Sequence, residues 1–212
     1  MEPWPLRNLV LRTPRLELRP DDDAGVFELI EVARAGVHDP SFMPFGVPWT
    51  DVPDAELGSN TLRFYWSQRA AFRPDDWNLN FLIHLDGRVI GTQSVHARDF
   101  AVTREISTGS WLGRRFQGHG YGTEMRAAVL SFAFDHLGAV QARTSAYADN
   151  AASLHVSRSL GYVDDGTLRD SRRGEPAVQL RMLLTADRFA SFRPHWKLDV
   201  AGLEACLPML IA

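Results

Sequence analysis

Lysine is almost missing from this chain. Lys and Arg together number 23 in 212 residues, yet Lys197 is the only lysine, so arginine carries nearly all the positive charge. A phosphate loop of the form G-x-x-x-x-G-K-[ST] is therefore excluded. Cysteine is as scarce. Cys206 stands alone, no internal disulfide can form, and a reducing compartment is the expectation. It lies in the apolar stretch "LEACLPMLIA" and reads as a small packed side chain rather than a nucleophile. No apolar run is long enough to span a bilayer. The start "MEPWPLRNLV" lacks the charged-then-apolar order of a signal peptide. The expectation is a cytoplasmic protein with no membrane partner. The seven histidines form neither H-E-x-x-H nor a Cys/His grouping, so no metal is expected. A net charge of −3 argues against a general nucleic-acid binder, and the six tryptophans are too scattered for a base-stacking platform.

What is present is ordinary globular composition, 45% apolar and 23% charged, enough for one sizeable core. "RLELR" (15–19) alternates as a strand. "DDAGVFELIEVARA" (22–35) reads as a helix with an acidic first turn and Gly36 as its stop. Residues 36–54 hold four prolines and three large aromatics, a loop that either packs its own side chains or faces a substrate as a lid. Residues 54–72 suggest a second helix, weakened by Gly58. "NLNFLIHL" and "RVIGTQSVHA" flank Asp86-Gly87, the signature of a type I′ hairpin. "EISTGSWLG" (105–113) is a further strand, with Gly109 marking a bulge or a close backbone approach. "AVQARTSAY" is a strand and "NAASLHVSRSL" a short helix stopped by Gly161. "YVDDGTLR" and "AVQLRMLLT" are two strands joined by the polar "DSRRGE". The class is α+β or mixed α/β.

The most informative stretch is "RRFQGHGYGTEM" (114–125). From Met125 the apolar positions Ala128, Val129, Phe132, Ala133 and Leu137 form one helical face, so Gly118, Gly120 and Gly122 sit at a helix N-terminus. There the first N–H groups lack intrahelical partners and the dipole end is positive, an anion site that needs no lysine. Arg114, Arg115 and Arg126 add positive charge nearby. The physical reading is a pyrophosphate cradle, set against a plain tight turn. The dinucleotide fingerprint G-x-G-x-x-G fits badly, because the third glycine comes one residue early and the next strand ends without an acidic residue.

Gln117-Gly118-His119-Gly120-Tyr121-Gly122 resembles Q-x-x-G-x-G, the acyl-CoA pyrophosphate motif of the GNAT N-acyltransferases. The surroundings resemble the RimJ/RimL-type branch. "LRTPRLELRP" is similar to its first strand. "ISTGSWLGRRFQGHGYGTEMRAAVLSFAFDHLGA" is similar to its fourth strand, cofactor loop and third helix, and "ADNAASLHVSRSLGYVDDGTLRD" to its N-x-x-S helix and the segment after it. The likeness runs from about Leu11 to Thr185. It implies a GNAT domain over 11–192 and leaves 193–212 as an extension that packs on the core or on a dimer partner. It also implies a mixed, mostly antiparallel sheet splayed between the family's fourth and fifth strands, flanked by helices, with the pantetheine arm in the gap.

By that resemblance, backbone groups of Trp111 and Leu112 bond the pantetheine, and Gln117, Gly118, His119, Gly120, Tyr121, Gly122 and Thr123 hold the pyrophosphate. A primary amine, on a protein N-terminus or a small molecule, attacks the thioester of an acyl-CoA directly, acetyl-CoA foremost. One N–H of Ser110–Leu112 serves as oxyanion donor. Asn150 and Ser153 stand beside the sulfur, with Ser153 as general acid or, alternatively, as a first-turn serine bonding local backbone. Where other members carry a tyrosine, this chain has Ser157. Candidate bases are Glu105, His96 and Asp170, with water-mediated proton loss as the alternative. Arg172 falls where some relatives carry a carboxylate. A cation there would favour a carboxylated donor such as succinyl-CoA. Two rivals stand beside the acyltransferase: a non-catalytic acyl-CoA-binding regulatory module and a Rossmann-type nucleotide enzyme.

Overall fold

The computed structural model describes residues 2–211. The strands are β1 (Val10–Arg12), β2 (Leu16–Pro20), β3 (Asp76–Leu85), β4 (Arg88–Arg98), β5 (Glu105–Leu112), β6 (Gln141–Tyr147), β7 (Val163–Arg172), β8 (Glu175–Thr185) and β9 (Asp199–Ala201). The helices are α1 (Asp23–Arg34), α2 (Asp54–Ala71), α3 (Phe100–Thr103), α4 (Tyr121–Ser131), α5 (Ala151–Ser159), α6 (Ala186–Ala190) and α7 (Leu207–Leu210). The strands form one sheet in the order β7-β8-β6-β5-β4-β3-β2-β1-β9. Every neighbouring pair is antiparallel except β5 and β6. This is the mixed, mostly antiparallel sheet flanked by helices that the resemblance implies.

Strand periodicity builds the two layers. On β3, Leu79, Phe81 and Ile83 pack with Ala128, Val129 and Phe132 in the main core. Leu82 points the other way, against Val26, Leu29 and Ile30 of α1 and Tyr65 of α2. Helices α4 and α1/α2 therefore cover opposite faces of the sheet. Asp22 caps α1, its side chain accepting from Gly25 N at 2.7 Å. The β3–β4 turn has Asp86 at φ 50° and Gly87 at φ 77°, as a type I′ turn requires. Helix α4 ends in a π-helical segment, Phe132–Leu137, and Gly138 at φ 75° terminates it.

The feature that makes a site is the β5–β6 pair. These parallel strands match only at Glu105–Ser107 with Gln141–Arg143. Beyond that vertex β5 continues to Leu112 and β6 to Tyr147 without pairing, so the sheet splits.

Several expectations need correction. Gly109 makes no bulge; it pairs in register with Ser94, and the irregular positions lie at Ile83/His84 and Asp164/Thr167. "DSRRGE" is not a loop. Strands β7 and β8 run through it, and only Arg173 (φ 53°) and Gly174 (φ 81°) turn, because two residues of positive φ suffice for a tight hairpin. The first strand is two, β1 and β2, joined at residues 13–15. The C-terminal segment supplies β9, which pairs with β1 at the sheet edge. Trp77 Nε1 donates to Leu210 O at 3.1 Å, and Cys206 is buried.

Candidate active site

The split between β5 and β6 opens into a cleft of about 960 Å³. Its walls are Thr108–Leu112 of β5, Thr144–Tyr147 of β6, the loop 117–123, the start of α5, and part of the loop 36–54. A second cavity of about 560 Å³ shares Thr108, Thr144 and Ser145 with it, so the two adjoin at the split.

At the mouth of α4, Gly118 has φ 78° and Gly120, its N-cap, φ 81°. Both lie in the left-handed region that glycine enters most readily. A Cβ at Gly118 would meet nothing within 4 Å. Among the described residues, no N–H from Gly118 to Thr123 reaches a protein acceptor, and the first bond of the helix is Glu124 N to Gly120 O at 3.1 Å. Six successive amides with no partner, at the positive end of a helix and beside a cleft, suit a polyanion such as a pyrophosphate.

The loop is braced from a distance. Gln117 does not turn its side chain outward; Nε2 donates to Val37 O at 2.7 Å and Leu112 O at 2.9 Å, tying the loop to the end of β5. Glu124, only 7% exposed, accepts from Thr13 Oγ1 at 2.6 Å and from Arg15 N and Nε at 3.1 and 2.6 Å. Arg15 Nη1 donates to His119 O at 3.1 Å, and its guanidinium lies 4.6 Å from the centre of the Tyr121 ring. The rings of His119 and Tyr121 pack on each other and are absent from the cleft wall. Nothing local in the sequence marks the Arg15–Glu124 brace, whose partners are 109 residues apart.

The three arginines near the motif part company. Arg114 lines the cleft, 3.7 Å from Asp39. Arg115 stacks on Phe116. Arg126 turns inward and is only 4% exposed, so it adds nothing to the mouth of the loop.

Asn150 caps α5, Oδ1 accepting from Ser153 N at 3.1 Å. Both residues line the cleft. The Ser153 hydroxyl has no protein partner among the described residues, whereas Ser157 is buried with Oγ donating to Ser153 O at 3.1 Å. Trp111 stacks on Trp49 with centroids 5.2 Å apart, and Phe45 stacks on Trp49 in turn. Leu112 closes the end of β5. The loop 36–54 thus packs its own aromatics and also faces the cleft through Phe42, Pro44 and Phe45. Arg173, at the tip of the β7–β8 hairpin, fastens it by bonds to both oxygens of Asp51 and to Pro40 O.

Of the three candidate bases, two stand apart from the cleft. Glu105 sits at the vertex, engaged by Arg143 Nε at 2.8 Å and by Gln141. His96 lies 3.1 Å from Asp76. Asp170 is one bond behind the wall: Oδ2 accepts from Gln179 Nε2 at 2.6 Å and Tyr147 Oη at 3.3 Å, and both donors line the cleft. Burial first, and the Asp170 charge second, hold the Tyr147 phenol above its ordinary pKa. Tyr147 is a site residue that sequence reasoning missed, since it reads simply as the end of a strand. Arg172 is no free cation; it forms a two-pronged pair with Asp149, both bonds 2.8 Å, over the Tyr147 ring. Among the described residues there is no cluster of ligands that could hold a metal ion, and no helix is long and apolar enough to cross a membrane.

Likeness to known proteins agrees with this geometry. Residues 9–163 match the family model "Acetyltransferase (GNAT) domain". The chain is 29% identical over 85 residues to "Putative ribosomal N-acetyltransferase YdaF" of Bacillus subtilis (strain 168), a stretch covering 40% of this chain and 46% of that protein, so it spans about half the length of that relative. Mycobacterium smegmatis RimJ in complex with CoA-disulfide has a similar fold, with TM-score 0.72 and 20% identity over 91% of this chain and 99% of that one. So does RimL, described as ribosomal L7/L12 alpha-N-protein acetyltransferase in complex with coenzyme A, with TM-score 0.66 and 18% identity over 83% and 97% of the two chains.

Proposed function

The chain belongs to the GNAT acetyltransferase family, with homologues of the RimJ/RimL type, and from that premise we propose that it moves an acyl group, acetyl first, from acyl-CoA to a primary amine. The observation that carries this reading is the row of six unpartnered amides at the mouth of α4, set beside a split between two strands. Gly118–Thr123 would hold the pyrophosphate. The free edge of β5 near Trp111 and Leu112 would run beside the pantetheine arm. Gln117 acts as a tie rather than a ligand through its side chain.

The reaction is direct. The amine nitrogen forms a bond to the thioester carbon, the C–S bond breaks, and its electron pair leaves on sulfur. The amine's surplus proton goes to solvent or to a base, and the thiolate takes one up to leave as CoA thiol. Both reactants held in one cleft make the attack effectively unimolecular. Ser153, with a hydroxyl free to donate and a cap that orients its helix, is the proton donor to sulfur. Asp170, acting through Tyr147, is the base best placed for the amine. An α-amine with a pKa of about 8 needs little such help at neutral pH, whereas a lysine amine near about 10.4 needs more. Protein N-termini are therefore the first acceptors to test, small amines the second. The rings of Phe42, Phe45 and Trp111 make the acceptor end apolar. Succinyl-CoA is the second donor to compare, although the cation that suggested it, Arg172, already has its counter-ion in Asp149.

Calorimetric titration with CoA and NAD, followed by thiol release from acetyl-CoA and succinyl-CoA across a panel of N-terminal peptides and small amines, tests the reading. Binding of CoA alone, with amine-dependent thiol release, is expected. CoA binding without thiol release from any pair would point to a regulatory module. No heat with CoA would remove the reading altogether.

A further inference from the structure

The floor of the split holds a charge without a partner. Arg126 is 4% exposed, and its guanidinium makes three hydrogen bonds, all to neutral oxygens. Nη2 donates to Ser110 Oγ on β5 at 2.9 Å, Nη1 to Thr144 Oγ1 on β6 at 3.4 Å, and Nε to Gln93 Oε1 on β4 at 3.2 Å. No carboxylate of the described residues forms an ion pair with it. Its neighbours are as unusual. Thr108 Oγ1 and the Tyr162 hydroxyl, both buried, find no well-aligned partner among the described residues, although the Tyr162 hydroxyl lies close to both Arg126 and Thr108. Arg126, Ser110, Thr108 and Thr144 all line the cleft.

A buried cation is costly unless something compensates it. Burial acts to lower the Arg126 pKa, but a guanidinium does not give up its proton in a protein, so the charge stays. The fork also spans the split, holding one lip through Ser110 and the other through Thr144. A fixed positive charge in the wall of a cleft, answered only by neutral oxygens among the described residues, is an arrangement that stabilises negative charge when that charge appears.

The geometry points to Arg126 as the group that stabilises the sulfur anion during acyl transfer. This inference rests on the proposed acyl-CoA reaction, in which the C–S electron pair leaves on sulfur beside β5 and α5. Ser153 then supplies the proton, and Arg126 lowers the energy of the thiolate before that proton arrives. The other groups that face the floor are Gln93 from β4, Thr108 and Ser110 from β5, Thr144 from β6, and Tyr162, the residue just before β7. From α5, Ser153 and His155 line the same cleft, and His38 is the other imidazole in its wall. None supplies a competing negative charge at neutral pH.

The test reads the ionisation of the CoA thiol in its complex with the protein, followed by the ultraviolet absorbance of the thiolate against pH. In the wild type the thiol pKa is expected to fall below that of free CoA. In Arg126→Gln it should rise by about one unit, a tenfold loss of thiolate at a given pH near neutrality, and kcat should drop by at least as much. Arg126→Lys, which keeps the charge and loses the fork, should retain most of the thiol shift. A wild-type thiol that titrates as it does free in solution overturns the inference without any variant. So does an Arg126→Gln protein that binds CoA with an unchanged thiol pKa. A selective loss of succinyl-CoA turnover in Arg126→Gln, with the thiol unaffected, would overturn it in favour of an acyl carboxylate as the counter-ion. Absence of CoA binding to the wild type would instead be a failure of the proposed function.

Discussion

Ser153 and Asn150 divide one job between them. Asn150 spends its oxygen on capping α5, which leaves the Ser153 hydroxyl uncommitted in the cleft wall. Ser153→Ala should lower kcat by about a hundredfold, the lower end of what a positioned acid contributes, while the calorimetric affinity for CoA stays within error of wild type. Equal turnover would remove Ser153 from the chemistry. A second residue-scale effect lies outside the cleft. The Asp21 side chain is 6% exposed with Oδ2 3.1 Å from Arg69 Nε, and desolvation outweighs that attraction, pushing its carboxyl from 3.8 up to about 7. Between those values the folded protein keeps a proton that the unfolded chain has released. This group's contribution is therefore best at acid pH, declines as pH rises from about 4 to about 7, and changes no further above that. Asp21→Asn abolishes the slope, so urea unfolding should find the variant gaining on the wild type across that window. A difference that is flat with pH would place the Asp21 pKa in the ordinary range.

At the scale of elements, the loop and helix α4 work as a unit because backbone conformation and long-range bracing agree. Gly120 sits at φ 81°, and a Cβ there would also come 3.4 Å from Arg15 Nη2. Gly120→Ala should cost roughly 1–2 kcal/mol of backbone strain, with a drop in CoA affinity of about tenfold if most of it is released by reshaping the loop. Calorimetry on the folded variant checks this. The neighbouring strand depends on a different glycine. A Cβ at Gly91 on β4 would lie 2.3 Å from Trp111 O and 2.8 Å from Leu112 Cα. Gly91→Ala must push β5 away, and a loss of about 3 kcal/mol in chemical denaturation is expected. An unchanged midpoint would mean that the two strands slide apart freely.

For the molecule as a whole, the tail and the sheet are one structure. Strand β9 covers the edge of β1, Leu210 O accepts from the buried Trp77 indole, and Cys206 and Leu210 complete the core. We propose that residues 193–212 are an integral extension of the 11–192 domain. Ending the chain after Arg193 should lower the melting temperature by several degrees and expose a strand edge that invites association. Melting and elution volume read this together. A truncated chain with the full-length melting temperature would make the tail dispensable, and a change from dimer to monomer would assign it to an interface. Burial also keeps Cys206 from acting as a thiolate, raising its pKa.

Legible in the sequence were the parts specified by local chemistry. The Asp86-Gly87 turn, the apolar face of α4 and the glycines at its mouth are each set by the conformational needs of a few neighbouring residues. The motif at 117–122 belongs to the same class, since positive φ and bare amides are properties of a short stretch of chain. What only the tertiary structure decided were the meetings of distant residues. Arg15 reaches across 109 positions to Glu124, Arg173 across 122 to Asp51, and β9 finds β1. The same holds for the direction of long side chains. Sequence spacing puts Arg126 near a phosphate loop and Glu105 at the head of a reactive strand. Packing instead turns Arg126 into the floor of the split and leaves Glu105 to Arg143. A charged side chain can satisfy itself in several directions at similar cost, and only the finished surroundings choose among them.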